Sequence, residues 1–110
     1  MHDKSAKGVE FFKCDFCHHP WAEDRPMIEG HHGSLICAHC LTVAYTAVAL
    51  HDAADTPAVD HCAMCLEERH QPGWRSPIAD DTVICLRCIK QGATTLEKDP
   101  DSHWRKPTLA

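Results

Sequence analysis

Large aromatic side chains are scarce in this chain: three Phe, three Trp and one Tyr among 110 residues. Without that bulk a single sizeable core cannot be filled from side chains alone, and small modules of ~40 to 50 residues then rely on disulfides, metal or oligomerisation. No apolar run is long enough to cross a membrane, and Met1 to Glu10 is polar and charged where a secretory signal would need an apolar stretch. Basic clustering is absent too. Eleven Lys and Arg are scattered against sixteen Asp and Glu, for a formal net charge of −5. Nucleic-acid binders need local positive charge to displace counterions from phosphates, so protein partners are expected before DNA or RNA. The chain contains no G-x4-G-K-[ST] loop and no H-E-x-x-H, and no proline precedes Cys14, Cys37, Cys62 or Cys85 as a zinc deaminase would require. These absences argue against a nucleotide-driven motor, a metalloprotease and a deaminase, and the expectation is a protein that is not an enzyme.

What is present is cysteine. Four C-x2-C pairs, Cys14/Cys17, Cys37/Cys40, Cys62/Cys65 and Cys85/Cys88, repeat with an offset of 48 residues, all eight matching. Nineteen residues separate the two pairs of each copy, a spacing that lets two thiolate pairs close tetrahedrally on one zinc with a hairpin between them. In a secreted protein the same cysteines would read as disulfides; with no signal segment, a reducing cytoplasm and two Zn²⁺ are expected. Eight bound thiolates and two dications would carry the formal charge from −5 to −9. Iron could use the same donors, though the C-P-x-C-G turns of rubredoxin are missing. The period-48 repeat favours independent units, so one zinc is expected on Cys14, Cys17, Cys37 and Cys40 and the other on Cys62, Cys65, Cys85 and Cys88; the alternative is a cross-braced mixture of both modules. His18, His19, His39 and His61 adjoin ligand cysteines and read as solvated neighbours, since four sulfurs already complete each set.

The repeat divides the chain into a leader over 1–10, a first module over 11–54, a linker over 55–58, a second module over 59–97 and a tail over 98–110. In the first module Cys14-Asp15-Phe16-Cys17 forms a knuckle, and Met27 to Glu29 and Ser34 to Ile36 are short strands joined through Gly30-His31-His32-Gly33. A helix runs from the second cysteine pair through Leu41 to Leu50. In the second module Cys62-Ala63-Met64-Cys65 is the knuckle, Ser76 to Ala79 and Thr82 to Ile84 the strands, Asp80-Asp81 the turn, and Leu86 to Leu96 the helix. The fold class is therefore a small metal-stabilised α+β chain of two tandem treble-clef zinc modules. Leu41, Ala44, Tyr45 and Val48 share one face of the first helix, and Val43, Ala47 and Leu50 the opposite face. A helix apolar on two sides must be covered twice, so the second face is expected to join repeat to repeat or chain to chain as a homodimer. Trp104 in the tail either docks on a partner or folds back on the chain.

The first module resembles the N-terminal C4-type zinc-binding domain of the ClpX unfoldase. The shared residues are the C-x-F-C knuckle at Cys14 to Cys17, the basic Arg25 ahead of a strand, Met27-Ile28 with Gly30, Ile36-Cys37, and the apolar Leu41 after Cys40. The second module, with Met64 in its knuckle and Val83-Ile84 before Cys85, is similar but looser. The resemblance implies a treble-clef module that dimerises and recognises substrate proteins and adaptors, here without the ATPase. Where that family usually places Gly-Lys after the second cysteine, this chain has His18-His19 and Leu66-Glu67. The function expected is a non-catalytic adaptor linked to substrate recognition for unfolding or proteolysis; the alternative is a nucleic-acid-associated zinc-finger regulator, which would need a basic face built from Arg25, Arg69, Arg75 and Arg87.

Overall fold

The computed structural model describes residues 12–22, 25–30, 33–50, 58–59, 62–66, 69–79, 82–100 and 102–107. The expected leader, most of the linker, the Asp80-Asp81 turn and His61 lie outside them.

In the first module β1 (Met27–Glu29) pairs antiparallel with β2 (Leu35–Cys37), with Ile28 opposite Ile36. The second strand begins one residue later than expected, because the Ser34 carbonyl accepts the Gly30 N–H at 2.8 Å and closes the hairpin there. Cys37 ends the strand and caps the helix that follows: its backbone stays extended while its sulfur accepts the Cys40 N–H. Helix α1 (Ala38–Ala44) then gives way to a π-helical segment, Tyr45–Leu50, where one continuous α-helix was expected. Two threonines account for the change. Thr42 Oγ1 donates to the Ala38 carbonyl at 2.9 Å and Thr46 Oγ1 to the Thr42 carbonyl at 2.8 Å, and the Tyr45 N–H is shared between the Leu41 and Thr42 carbonyls. Hydroxyls bonded four residues back compete with the backbone ladder and loosen it.

The second module carries three strands, β3 (Ala58–Val59), β4 (Arg69–Arg75) and β5 (Val83–Cys85), all antiparallel in that order. The strand expected over Ser76 to Ala79 is instead a turn. The Ser76 hydroxyl accepts the N–H groups of Ile78 and Ala79, both at 3.1 Å, which bends the chain away from the sheet. The strand that pairs with β5 lies earlier, and it contains Pro72. Proline has no N–H to give a ladder. It is accommodated opposite Ala58, where the β3 register shifts. Helix α2 (Leu86–Lys98) follows Cys85 as the sequence predicts, two residues longer at its end.

The two modules share one core. Phe16, Ile36, Leu41 and Val48 of the first are buried in the same cluster as Met64, Ile84, Ile89 and Leu96 of the second. Helix α2 lies against α1 and the π-helical segment, with Gly92 facing Leu41, where an added methyl would make ordinary contact with Cδ1 at 3.7 Å. The face of α1 used for docking the repeats is thus the Leu41 face. Val43, expected among the joining residues, is 40% exposed. The tail folds back: Trp104 Nε1 donates to Thr42 Oγ1 at 2.9 Å and its ring rests against the core, covering the flank of α1.

Candidate metal centres

Knuckle, strand end and first helical turn converge in each module, and the convergence repeats with the 48-residue offset. Cys14 Sγ accepts the N–H of Phe16 at 3.3 Å and of Cys37 at 3.3 Å; Cys62 Sγ accepts those of Met64 and Cys85, each at 3.4 Å. The knuckle turns close through His18 N–H to the Cys14 carbonyl and Leu66 N–H to the Cys62 carbonyl, both 2.8 Å. Both turn residues take a left-handed backbone, φ 63° and 60°. The knuckle therefore forms without the glycine that the ClpX family usually has there.

The sulfurs of Cys14, Cys17, Cys37 and Cys40 all lie within 4.8 Å of one another, and so do those of Cys62, Cys65, Cys85 and Cys88. Pairing is sequential rather than cross-braced. Cys14 and Cys40 Sγ are 3.8 Å apart and Cys17 and Cys37 Sγ 3.6 Å; a tetrahedron of Zn–S bonds of ~2.3 Å has edges of about 3.8 Å. The donor set fits zinc: four soft sulfurs, tetrahedral, with no fifth donor required. Among the described residues His18, His19 and His39 are exposed and stand outside both groups.

Packed this closely, four thiols cannot ionise together unaided. Hydrogen bonds from Cys14 and Cys40 hold Cys37 far below the ordinary thiol range, while Cys14 is pushed up to about 12, chiefly by its bond to Cys37, and Cys40 is raised by Cys14 and Cys37. In the second group Cys62 is held at about 4, first by its bond from Cys88; Cys88 is raised by that same bond, and Cys85 by burial. One thiolate stabilised by its protonated neighbours is what a lone proton inventory allows. A dication would let all four deprotonate.

Arg25 was read in the sequence only as a basic residue ahead of a strand. Its Nη1 donates to Cys37 Sγ at 3.5 Å and approaches Cys17 Sγ at 4.0 Å, and its own pKa is raised by the bond to Cys37. No spacing rule exposes this contact; only the fold brings residue 25 over the sulfurs.

Residues 13–49 match the family model of the ClpX C4-type zinc finger. No curated protein and no solved structure matches the chain. The ClpX-type finger thus covers the first module, and the second four-cysteine group stands where a tandem copy requires it. The ClpX zinc finger is a non-catalytic metal module. Cys14, Cys17, Cys37 and Cys40 would hold one zinc and Cys62, Cys65, Cys85 and Cys88 a second. Among the described residues no helix is long and apolar enough to cross a membrane.

Proposed function

We propose that this chain is a non-catalytic, cytoplasmic adaptor that captures apolar segments of other proteins, with zinc serving structure alone. The single observation that carries the reading is an apolar groove on the ClpX-type finger. Phe12 (44% exposed), Trp21 (37% exposed), Met27, Leu35 and Glu29 line it, and its volume is about 380 Å³. Exposed aromatics grouped around a pocket are the usual anchor sites of protein interfaces. Strand register puts Gly73 and Arg75 of the second module where Met27 and Glu29 stand in the first, so its counterpart groove would lack the Met27 side chain. A closed four-sulfur shell has no open coordination position for substrate, which supports a role other than catalysis. Self-association through Val43, Ala47 and Leu50 belongs to the same proposal, supported by the exposure of Val43. A basic face of Arg25, Arg69, Arg75 and Arg87 would revive the nucleic-acid reading; the contact of Arg25 with the thiols favours the adaptor.

The test is a peptide array probed with the zinc-loaded chain. Wild type should retain peptides with paired apolar side chains, and Trp21→Asp and Phe12→Asp should lose them while keeping two zincs by native mass spectrometry. Unchanged binding in both variants would contradict the groove assignment, and tight salt-sensitive binding of DNA or RNA would favour the regulator.

A further inference from the structure

The two metal centres share their ligand spacing and their backbone hydrogen bonds, yet they differ in what surrounds the sulfurs. In the first, three ligands are buried, and the fourth, Cys17, is half-buried beneath the Arg25 guanidinium, which also donates to Cys37. Gly73 stands opposite Cys85 as Met27 stands opposite Cys37, so the register puts Gln71, an uncharged residue, at the position of Arg25. In the second centre Cys65 and Cys88 are both half-buried, and both line a cleft of about 520 Å³ between the modules. The cleft is walled by β1 on one side, at Ile28 and Glu29, and by α2 on the other, at Arg87 and Thr95.

From these two independent differences we infer that the centres are unequal in metal retention: the second is the exchangeable one, giving up its zinc through the inter-module cleft to small competing ligands, while Arg25 seals the first. A zinc bound by four thiolates carries a net charge of −2. A guanidinium donating to two of those sulfurs lowers their readiness to be protonated or attacked, and groups hydrogen-bonded to metal ligands change metal affinity by ~10 to 100-fold. Exchange also needs an incoming ligand to reach a bound sulfur or the metal. The cleft admits small molecules to Cys65 and Cys88, whereas the flank of Cys17 is occupied by Arg25.

The order of release can be read directly. The full zinc-loaded chain is mixed with a chromogenic chelator and N-ethylmaleimide, and alkylated cysteines are mapped by mass spectrometry over time. Zinc should leave in two phases at least ~10-fold apart in rate, with Cys65 and Cys88 alkylated in the first phase and Cys17 and Cys37 in the second. Arg25→Ala should speed the slow phase by ~10 to 100-fold and leave the fast phase unchanged, Arg25→Lys should restore part of the difference, and Thr95→Trp, which narrows the cleft, should slow the fast phase alone. A single phase labelling all eight cysteines together, or earlier labelling of Cys17 and Cys37, overturns the inference; so does an Arg25→Ala variant in which both phases accelerate equally. The wild-type labelling order needs no variant and decides the matter if Arg25→Ala does not fold.

Discussion

At the scale of single residues, the most informative pair is His18 and Leu66, the two non-glycine residues that hold the knuckle turns in left-handed backbone. An L-residue there costs ~1 to 2 kcal/mol, partly offset because glycine gives up more entropy on folding. Leu66→Gly should therefore stabilise the zinc-loaded protein by about 0.5 to 1 kcal/mol, seen as a rise in melting temperature; a fall would mean that the Leu66 side chain packs more than its half-buried position suggests. Ser76 makes the opposite case. Only 3% exposed, it donates to the Phe16 carbonyl at 2.6 Å and accepts two N–H groups. Ser76→Ala should cost about 1 to 3 kcal/mol because all three partners are left unpaired. The eight cysteines were legible from spacing, but Ser76 was not: its partner lies sixty residues away.

At the scale of elements, the first hairpin and both helix starts could be read because glycines and cysteines punctuate them. The second hairpin could not. Ser76 to Ala79 reads as a strand, yet β4 lies earlier and carries Pro72 through a register shift, and the Ser76 hydroxyl turns the supposed strand into a bend. The π-helical segment was hidden for a related reason, since propensity says nothing of Thr42 and Thr46 bonding back to carbonyls. The tail gains a role at this scale. Trp104 on Thr42, with Lys106 N–H donating to Glu97 Oε2 at 2.8 Å, ties the last residues across both helices. Trp104→Ala should lower stability by ~2 kcal/mol, below the range for a fully buried Trp; an unchanged melting curve would show that the strap contributes nothing.

At the scale of the whole molecule, the two modules embrace reciprocally. Phe16 at the tip of the first knuckle stacks on Trp74 of the second module, ring centroids 5.7 Å apart, and its carbonyl is bonded by Ser76. Met64, the residue equivalent to Phe16, presents its carbonyl to the first hairpin at Gly30, where an added Cβ would stand 2.5 Å from the oxygen. Each knuckle thus meets the other module's hairpin region, as a two-fold interface requires of identical subunits. The tandem copies form an intrachain pseudo-dimer. Gly30→Ala should force the modules apart and cost about 1 to 3 kcal/mol, as overpacking does, with faster amide exchange in the Met64 knuckle. Val43→Asp should leave folding within ~0.5 kcal/mol, as exposed positions do, and separates the proposals: self-association through that face predicts a smaller particle in light scattering, and an unchanged size removes it.

All of this rests on two structural metal ions joined to one shared, modest core. Structural zinc contributes ~10 kcal/mol or more of apparent binding free energy, as much as the whole net stability of a typical domain. The decisive measurement is calorimetric melting of the reduced chain before and after chelation, with native mass spectrometry on the same samples. Two zincs and a single cooperative transition that vanishes when both are removed are expected; a reduced, metal-free chain that kept a sharp transition would contradict the claim that metal holds this fold together.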